Sequence, residues 1–474
     1  MIWQKIKMKN LPNPIFFIPF RQVIKYKYMK IIGRYEEQRI LKQYFESHES
    51  EFVAVYGRRR VGKTFLIKEF FKNKFSFYIA GLANASKDEQ LENFNAALAS
   101  YGQIPYSRAK NWMEAFRQLI LLLEKSKQKG KKVIFIDELP WFDTPRSGFI
   151  TGLEYFWNTW AAARQDILLI SCGSATSWMI NNLLKNRGGL HNRVTRRMAI
   201  APFNLNECEA YFINKKIVLD RKSVVGSYMI FGGIPFYLNL FEKGLSLAQN
   251  VDNICFTPNG ALRDEFSILY ASLFRHSEKH INVIRVLAKK KAGMTREDII
   301  AETKIQGGGL TVILDELEQC NFIRSSNAFD KKTKGRLYQL IDFYSMFYIN
   351  FMKNAKQTDN HYWTNLIENA KHRAWSGYAF EQVCMQHTPQ ICRKLGISGV
   401  ITYSASWRSR RTGQEEGTQV DLLIDRNDGI INLCEMKYVN TEFVIDKKTD
   451  ENLRNKKAAF IAETKTRKPY MSQW

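Results

Sequence analysis
Apolar positions along the chain follow two rhythms that change over at definable points. The unbroken apolar run at 133–136 predicts a strand buried on both faces, as in a parallel sheet; 52–56 and 167–174 read as further buried strands, 75–80 as another, and 200–203 as the last of the set. Between them apolar residues recur at helical spacing: Leu41, Tyr44 and Phe45, then 91–98, then 112–123, whose leucine stripe belongs to a core. Strand and helix alternating over the first 200 residues predict an α/β fold. After His280 the pattern is helical, with Ile281, Ile284 and Leu287, then Leu310, Ile313, Leu314 and Leu317, and between them Thr295–Asp298 has the form of a capping box. Residues 322–324 and 337–340 flank a Lys/Gly turn as a hairpin, and the aromatic run 343–351 is core at helical spacing. The last hundred residues predict a helix around 377–381, strands at 419–424 and 431–438, and a Lys-rich helical segment at 451–468.

The first strand and the helix after it are joined by GRRRVGKT, residues 57–64. Strand, Gly-rich loop and helix are the setting in which GxxxxGKT cradles a polyphosphate. Gly57 and Gly62 let the backbone turn tightly, so that the N–H groups of Arg58, Arg59, Arg60, Val61, Gly62 and the helix start through Phe65 face phosphate oxygens. Lys63 is expected to reach the β and γ phosphates of ATP, and the Thr64 hydroxyl to ligate Mg²⁺. The strand at 133–136 ends in Asp137-Glu138, where Asp137 would hold Mg²⁺ through its water shell and Glu138 would polarise the attacking water. Just before the first strand, Ile32, Gly33 and Arg34 either contact the base or only start a helix. Ser171 and Ser174 end the strand beside the acidic one, as a γ-phosphate sensor or as satisfied strand-end hydroxyls. One of Arg193, Arg196 and Arg197 would act as an arginine finger in a homo-oligomer, unless the three form a solvated basic turn.

GRRRVGKT, IIGRYEE near the start, VIFIDE, ISCGS, APFNLNE and FGGIPFYL together resemble the archaeal-type ATPases of the AAA+/STAND group, in the family's order and over most of residues 30–240. The resemblance implies a P-loop NTPase sheet followed by a small helical lid, with Gly232, Gly233 and Pro235 approaching the nucleotide. The residues alone suit a helix end followed by a Pro-started helix.

Three helices and a hairpin make a winged helix, commonly a DNA-binding fold. Here the third helix carries Asp315, Glu316 and Glu318 and no Lys or Arg, which opposes phosphate contact, and only the wing, with Lys331, Lys332, Lys334 and Arg336, is basic. DNA contact and inter-domain packing are both open. In the last segment Glu381 sits on a helix, Asp421 on one strand, and Glu435 and Lys437 on another, on one face by period-two alternation. Converging carboxylates and a lysine are what Mg²⁺-dependent phosphodiester cleavage requires: Asp421 and Glu435 to bind the metal, Lys437 to orient the water, Glu381 to assist. The order Glu, Asp, then ExK resembles the PD-(D/E)xK nuclease superfamily, with Gln419 and Val420 where the motif has proline. It implies a restriction-endonuclease-like α/β domain, with Arg408, Arg410 and Arg411 near Trp407 as phosphate contacts or a solvated loop.

Composition narrows the field further. A net charge of +25 over 474 residues implies attraction to polyanions, DNA first among them. Seven scattered cysteines without CxxC or Cys/His spacing argue against a disulfide framework or a zinc site, and suit a reducing, cytoplasmic setting. No apolar run approaches the roughly 18 residues that span a bilayer. The expected layout is a basic leader at 1–28, not translated or disordered, an ATPase core at 29–203, a lid at 204–275, a winged helix at 276–352 and a nuclease-like domain at 370–474. The expected function is ATP hydrolysis gating a nuclease-like domain on DNA. The alternative is a non-cleaving nucleotide switch that binds nucleic acid or a protein.

Overall fold
The computed structural model describes residues 31–473, apart from 103–107, 186–187, 191, 275, 327–335, 356–359, 368, 410–417 and 440–441. The leader, Lys331, Lys332, Lys334, Arg410 and Arg411 lie outside the described residues.

Five parallel strands form the first sheet: β1 (Glu51–Tyr56), β2 (Phe77–Ala80), β3 (Lys132–Asp137), β4 (Ile167–Gly173) and β5 (Arg196–Ala199), in the order β2-β3-β4-β1-β5. β1, β3 and β4 are buried almost throughout, which is why they read as unbroken apolar runs. The helices α1 (Tyr35–Phe45), α2 (Lys63–Phe70), α3 (Lys87–Gly102), α4 (Trp112–Lys125) and α5 (Phe149–Phe156) alternate with the strands. α4 is capped by Asn111, whose side chain accepts from the Glu114 N–H, and it buries Phe116, Leu119 and Leu123.

The last strand falls earlier than its apolar pattern suggested. β5 is an edge strand with Arg196, Arg197 and Ala199 exposed and only Met198 buried, so its strand character was masked by charge. Ile200 still donates to the Tyr56 carbonyl at 2.8 Å, and the chain then leaves the sheet.

After the sheet come α6 (Leu205–Asn214), opened by a complete Asn204/Glu207 capping box, α7 (Arg221–Phe231) and α8 (Pro235–Leu238). α7 ends on left-handed Gly232 and α8 starts with Pro235 at its first turn, the helix-stop and helix-start the residues suit. Next, α9 (Ser277–Leu287), α10 (Arg296–Thr303) and α11 (Gly307–Gln319) stand beside a three-stranded antiparallel sheet of β6 (Met294–Thr295), β7 (Ile323–Ser326) and β8 (Leu337–Leu340), in the order β6-β8-β7. β6 was not visible as a strand, because two residues carry no period. The Thr295/Asp298 capping box is formed. α12 (Phe343–Phe347) is wholly buried.

The final part holds α13 (Ala370–Gln386) and a four-stranded sheet, β9 (Thr402–Arg408), β10 (Gln419–Arg426), β11 (Ile431–Cys434) and β12 (Tyr470–Gln473), with α14 (Lys447–Thr464) on one face. β10 is antiparallel to β9 and β11, and β12 runs parallel to β11. The strand expected at 431–438 stops at Cys434, since the Met436 N–H turns to the Asp421 carboxylate at 2.9 Å instead of continuing the ladder. One apolar core runs unbroken from Ile32 to Cys384, through the first sheet, α6 to α12 and α13.

Candidate functional sites
Because all five strands of the first sheet are parallel, the loops after β1, β3 and β4 open at one edge, where open α/β sheets bind ligands. Gly57 has φ 142° and a Cβ there would stand 2.3 Å from the Ile200 carbonyl, so only glycine lets the loop start. Gly62, at φ 86°, faces open space and begins α2. Lys63 is buried and donates to the carbonyls of Gly57 at 2.8 Å and Arg58 at 2.9 Å, which holds its ammonium over the loop. The Thr64 hydroxyl bonds Asp137, whose carboxyl is pushed up by burial and pulled back by that bond, with the Glu138 charge raising it further. Glu138 has φ 47°, and its Oε2 accepts from the Ser174 hydroxyl at 2.8 Å. Ser174 thus serves Glu138, while Ser171 is fully buried and bonds the Val53 carbonyl at 3.3 Å.

The loop arginines turn away from this edge. Arg58 is buried, ion-pairs with buried Asp342 just ahead of α12, and lies 4.7 Å over the Phe322 ring. Burial opposes the Arg58 charge, but Asp342 outweighs it and holds the guanidinium firmly protonated. Arg60 pairs with buried Glu265 at 2.8 Å and lies 4.1 Å over Phe236. Arg59 is half-buried, Val61 is buried and Phe65 is exposed on α2. Arg34 is buried: it donates to the Val61 carbonyl at 3.1 Å, its N–H meets Glu207 at 2.8 Å, and a Cβ on Gly33 would strike the same glutamate. The segment before β1 therefore couples the phosphate loop to α6. Arg196 pairs with Glu51 at 3.0 Å, at the end of β1 opposite the loop, while Arg193 and Arg197 are exposed.

The third-helix acids serve the module itself. Glu316 meets His280 at 2.8 Å, and Glu318 accepts from the Ser325 N–H at 3.0 Å and from Arg336 at 3.3 Å. Of the three acids only Asp315 is exposed; Glu316 and Glu318 are half-buried against their partners within the module. The end of α11 packs on residues 176–178, which follow β4.

The second constellation is assembled at the ends of β10 and β11. A bulge in β10 between Val420 and Leu423 places Asp421 at the irregularity, where strands commonly re-aim a side chain. Its oxygens accept from the Met436 N–H at 2.9 Å and from Gln419 at 3.1 Å. Just past the end of β11 the Glu435 side chain is enclosed and ion-paired to Lys437 at 2.7 Å, while Met436 packs with Cys434. Burial raises Asp421, and the Glu435 charge adds to it. Glu381, on α13, is pushed up to about 7 by burial, with the Asp421 and Glu435 charges adding and Lys291 and Lys437 opposing. Among the described residues no three His, Cys, Asp or Glu side chains form a metal cluster. Asp421 and Glu435, whose charges disfavour each other, are hard oxygen donors of the kind Mg²⁺ takes. Arg408 bonds Gln419 at 2.6 Å beside this site.

Four residues that motif reading did not single out matter here: Asp342, Glu265, His387 and Lys456. The Nε2 of His387 accepts from the Leu205 N–H at 3.1 Å and its Nδ1 donates to the Val383 carbonyl at 2.7 Å, so a neutral imidazole caps α6 from α13. Burial lowers His387 to about 4, below the unfolded value near 6.5. The unfolded chain binds the proton more readily, so this contribution is full above pH 6.5 and is lost as pH falls toward 4. We expect a loss on the order of 3 kcal/mol over that window. Denaturant titrations of wild type and His387→Asn at pH 7 and 4.5 check this; equal slopes with pH would overturn it.

The loop, the acidic pair and the strand order define a P-loop ATPase. Residues 32–241 match the family described as an ATPase domain predominantly from Archaea, and the chain accordingly carries an ATPase domain of the archaeal P-loop type. It is 22% identical over 411 residues to an uncharacterized protein of Methanocaldococcus jannaschii, covering 86% of this chain and 87% of that one. An uncharacterized ATP-binding protein of the same organism is 41% identical over 49 residues, 10% of this chain and 83% of its own. Among solved structures, the Walker-type ATPase of Pyrococcus abyssi is similar over 67% of this chain and 96% of its own, at 18% identity and a TM-score of 0.49. No helix among the described residues is long and apolar enough to cross a membrane.

Proposed function
We propose that this protein is an ATP-hydrolysing enzyme acting on DNA, in which nucleotide state gates a C-terminal nuclease-like domain. The convergence of Asp421, Glu435 and Lys437 carries this reading, because it supplies what phosphodiester cleavage needs and polyanion attraction alone does not. In the ATPase site Lys63 binds the β and γ phosphates, Thr64 and Asp137 would hold Mg²⁺, and Glu138 takes the proton of the attacking water. Mg²⁺ supplies charge neutralisation on the phosphates when bound. In the C-terminal site Asp421 and Glu435 would hold the same type of ion, Lys437 orients the attacking water, and Glu381 is poised near neutrality to exchange a proton.

Coupling has a physical route. Arg58 and Arg60 lie inside the phosphate loop and reach Asp342 and Glu265 in downstream elements, and His387 joins α13 to α6. In this reading residues 276–352 are a winged helix whose third helix packs on the ATPase and leaves DNA contact to the wing.

The test is cleavage of linear, single-stranded and branched DNA with Mg²⁺ or Mn²⁺, with and without ATP, by wild type and Lys437→Ala. Cutting by wild type alone supports the nuclease, and ATP dependence supports gating. If neither cuts while ATP is hydrolysed, the second reading applies: a nucleotide switch whose C-terminal part binds nucleic acid or a protein. α11 touches residues 176–178 of the ATPase but keeps Thr311, Val312 and Asp315 exposed; its acids and its lack of Lys or Arg, which oppose phosphate contact, favour that reading.

A further inference from the structure
In the Lys-rich helical segment Lys465 and Lys468 are exposed. Lys456 is not. On α14 it lies between Leu453 and Phe460, the two residues that anchor the helix on the sheet, and its side chain is 15% exposed. Its ammonium meets both oxygens of Glu435, at 2.7 and 2.8 Å. Lys437 meets one of the same oxygens at 2.7 Å from the opposite side of the sequence motif. Glu435 is thus clasped by two cations, 2 and 21 residues away, with Asp421 and Glu381 close enough to feel its charge. A surface ion pair would leave a flexible lysine in water. Here the lysine is held by helix packing against a carboxylate that is itself 5% exposed.

We propose that Lys456 is a positioning residue of the C-terminal site, which holds Glu435 in place and competes with a divalent cation for its two oxygens. This rests on the nuclease-like reading above. The chemistry follows from charge: an ammonium bonded to both Glu435 oxygens repels a dication that approaches the same carboxylate, so cation entry is opposed as long as Lys456 stays in place. The released ammonium then stands beside the carboxylate pair, where an incoming DNA phosphate needs a counter-charge. The site would accordingly load its cation weakly without DNA and more strongly with it.

The experiment is Mn²⁺ binding to the full chain without nucleotide, followed by the electron-spin signal of free Mn²⁺. Wild type is compared with Lys456→Gln, Lys456→Met, Lys456→Arg and Asp421→Asn, and melting temperature reports folding. Loss of binding in Asp421→Asn identifies the C-terminal site. We expect Lys456→Gln to bind Mn²⁺ at least about tenfold more tightly than wild type, since a competing unit charge within ion-pair distance is gone. Lys456→Arg should return affinity toward wild type. Unchanged or weaker binding in Lys456→Gln and Lys456→Met, with melting intact, would overturn the proposal and leave the nuclease reading standing. Absence of Asp421-dependent binding in every protein would instead overturn both.

Discussion

Glu138→Gln should bind ATP as wild type does and turn it over roughly 10²–10⁴-fold more slowly, the range for removing a general base. The amide is isosteric and still meets the Ser174 hydroxyl, which now holds Glu138 at 2.8 Å, so the left-handed backbone at this position is not disturbed. What is lost is the proton acceptor that the proposed mechanism sets against the attacking water. Lys63→Ala differs in kind. Its ammonium sits over the loop on the Gly57 and Arg58 carbonyls, ready to transfer to phosphate, and its removal should abolish binding itself. Fluorescent-nucleotide binding and phosphate release, measured on both variants, separate the roles. Turnover within threefold of wild type in Glu138→Gln would assign the base elsewhere, and unchanged hydrolysis in Lys63→Ala would remove the ATPase site assignment altogether.

The second large effect is expected far from the chemistry. Asp342→Asn leaves Arg58 charged and fully enclosed, and stranding one partner of a buried pair costs about 3–5 kcal/mol. Asp342 also caps α12, accepting from the Ser345 N–H at 2.9 Å, a bond the amide oxygen can keep, so the loss reports mainly on the charge. Replacing both residues by apolar ones, Arg58→Met with Asp342→Leu, should recover much of the stability, because the desolvation of both charges is removed together. Denaturant midpoints of Arg58→Met, Asp342→Leu and the double form the cycle, with Asp342→Asn read beside it. If Asp342→Asn unfolds within about 1 kcal/mol of wild type, the pair is not a fastening of the phosphate loop. Nucleotide affinity measured on the double variant then tells whether the fastening also carries coupling.

Much of the ATPase edge was legible because its chemistry is local in sequence: GRRRVGKT and Asp137-Glu138 each sit at the end of an unbroken apolar run. Glu435 and Lys437 also meet, but past the end of β11 and not on the strand whose alternation put them on one face. Motif reading missed what depends on tertiary approach. Arg58 and Asp342 are 284 residues apart, His387 and Leu205 182, and Lys456 lies 21 from Glu435 on a helix whose lysines look alike in one dimension. β5 was misplaced because an edge strand has only one face to bury, so Arg196 and Arg197 hid its rhythm. The strand after β10 was drawn too long because an apolar alternation continues through Met436, whereas its N–H had a better acceptor in Asp421.

The unbroken core from Ile32 to Cys384 has a practical side. The expected borders at 203, 275 and 352 fall inside it, so a chain ended at any of them would expose apolar surface that the missing part covers. Ending it before α13 would also bare the Leu205 N–H that His387 satisfies. Dissection into independently soluble pieces is therefore a poor route to assigning activities here. Point substitutions in the intact chain keep the scaffold that each site leans on.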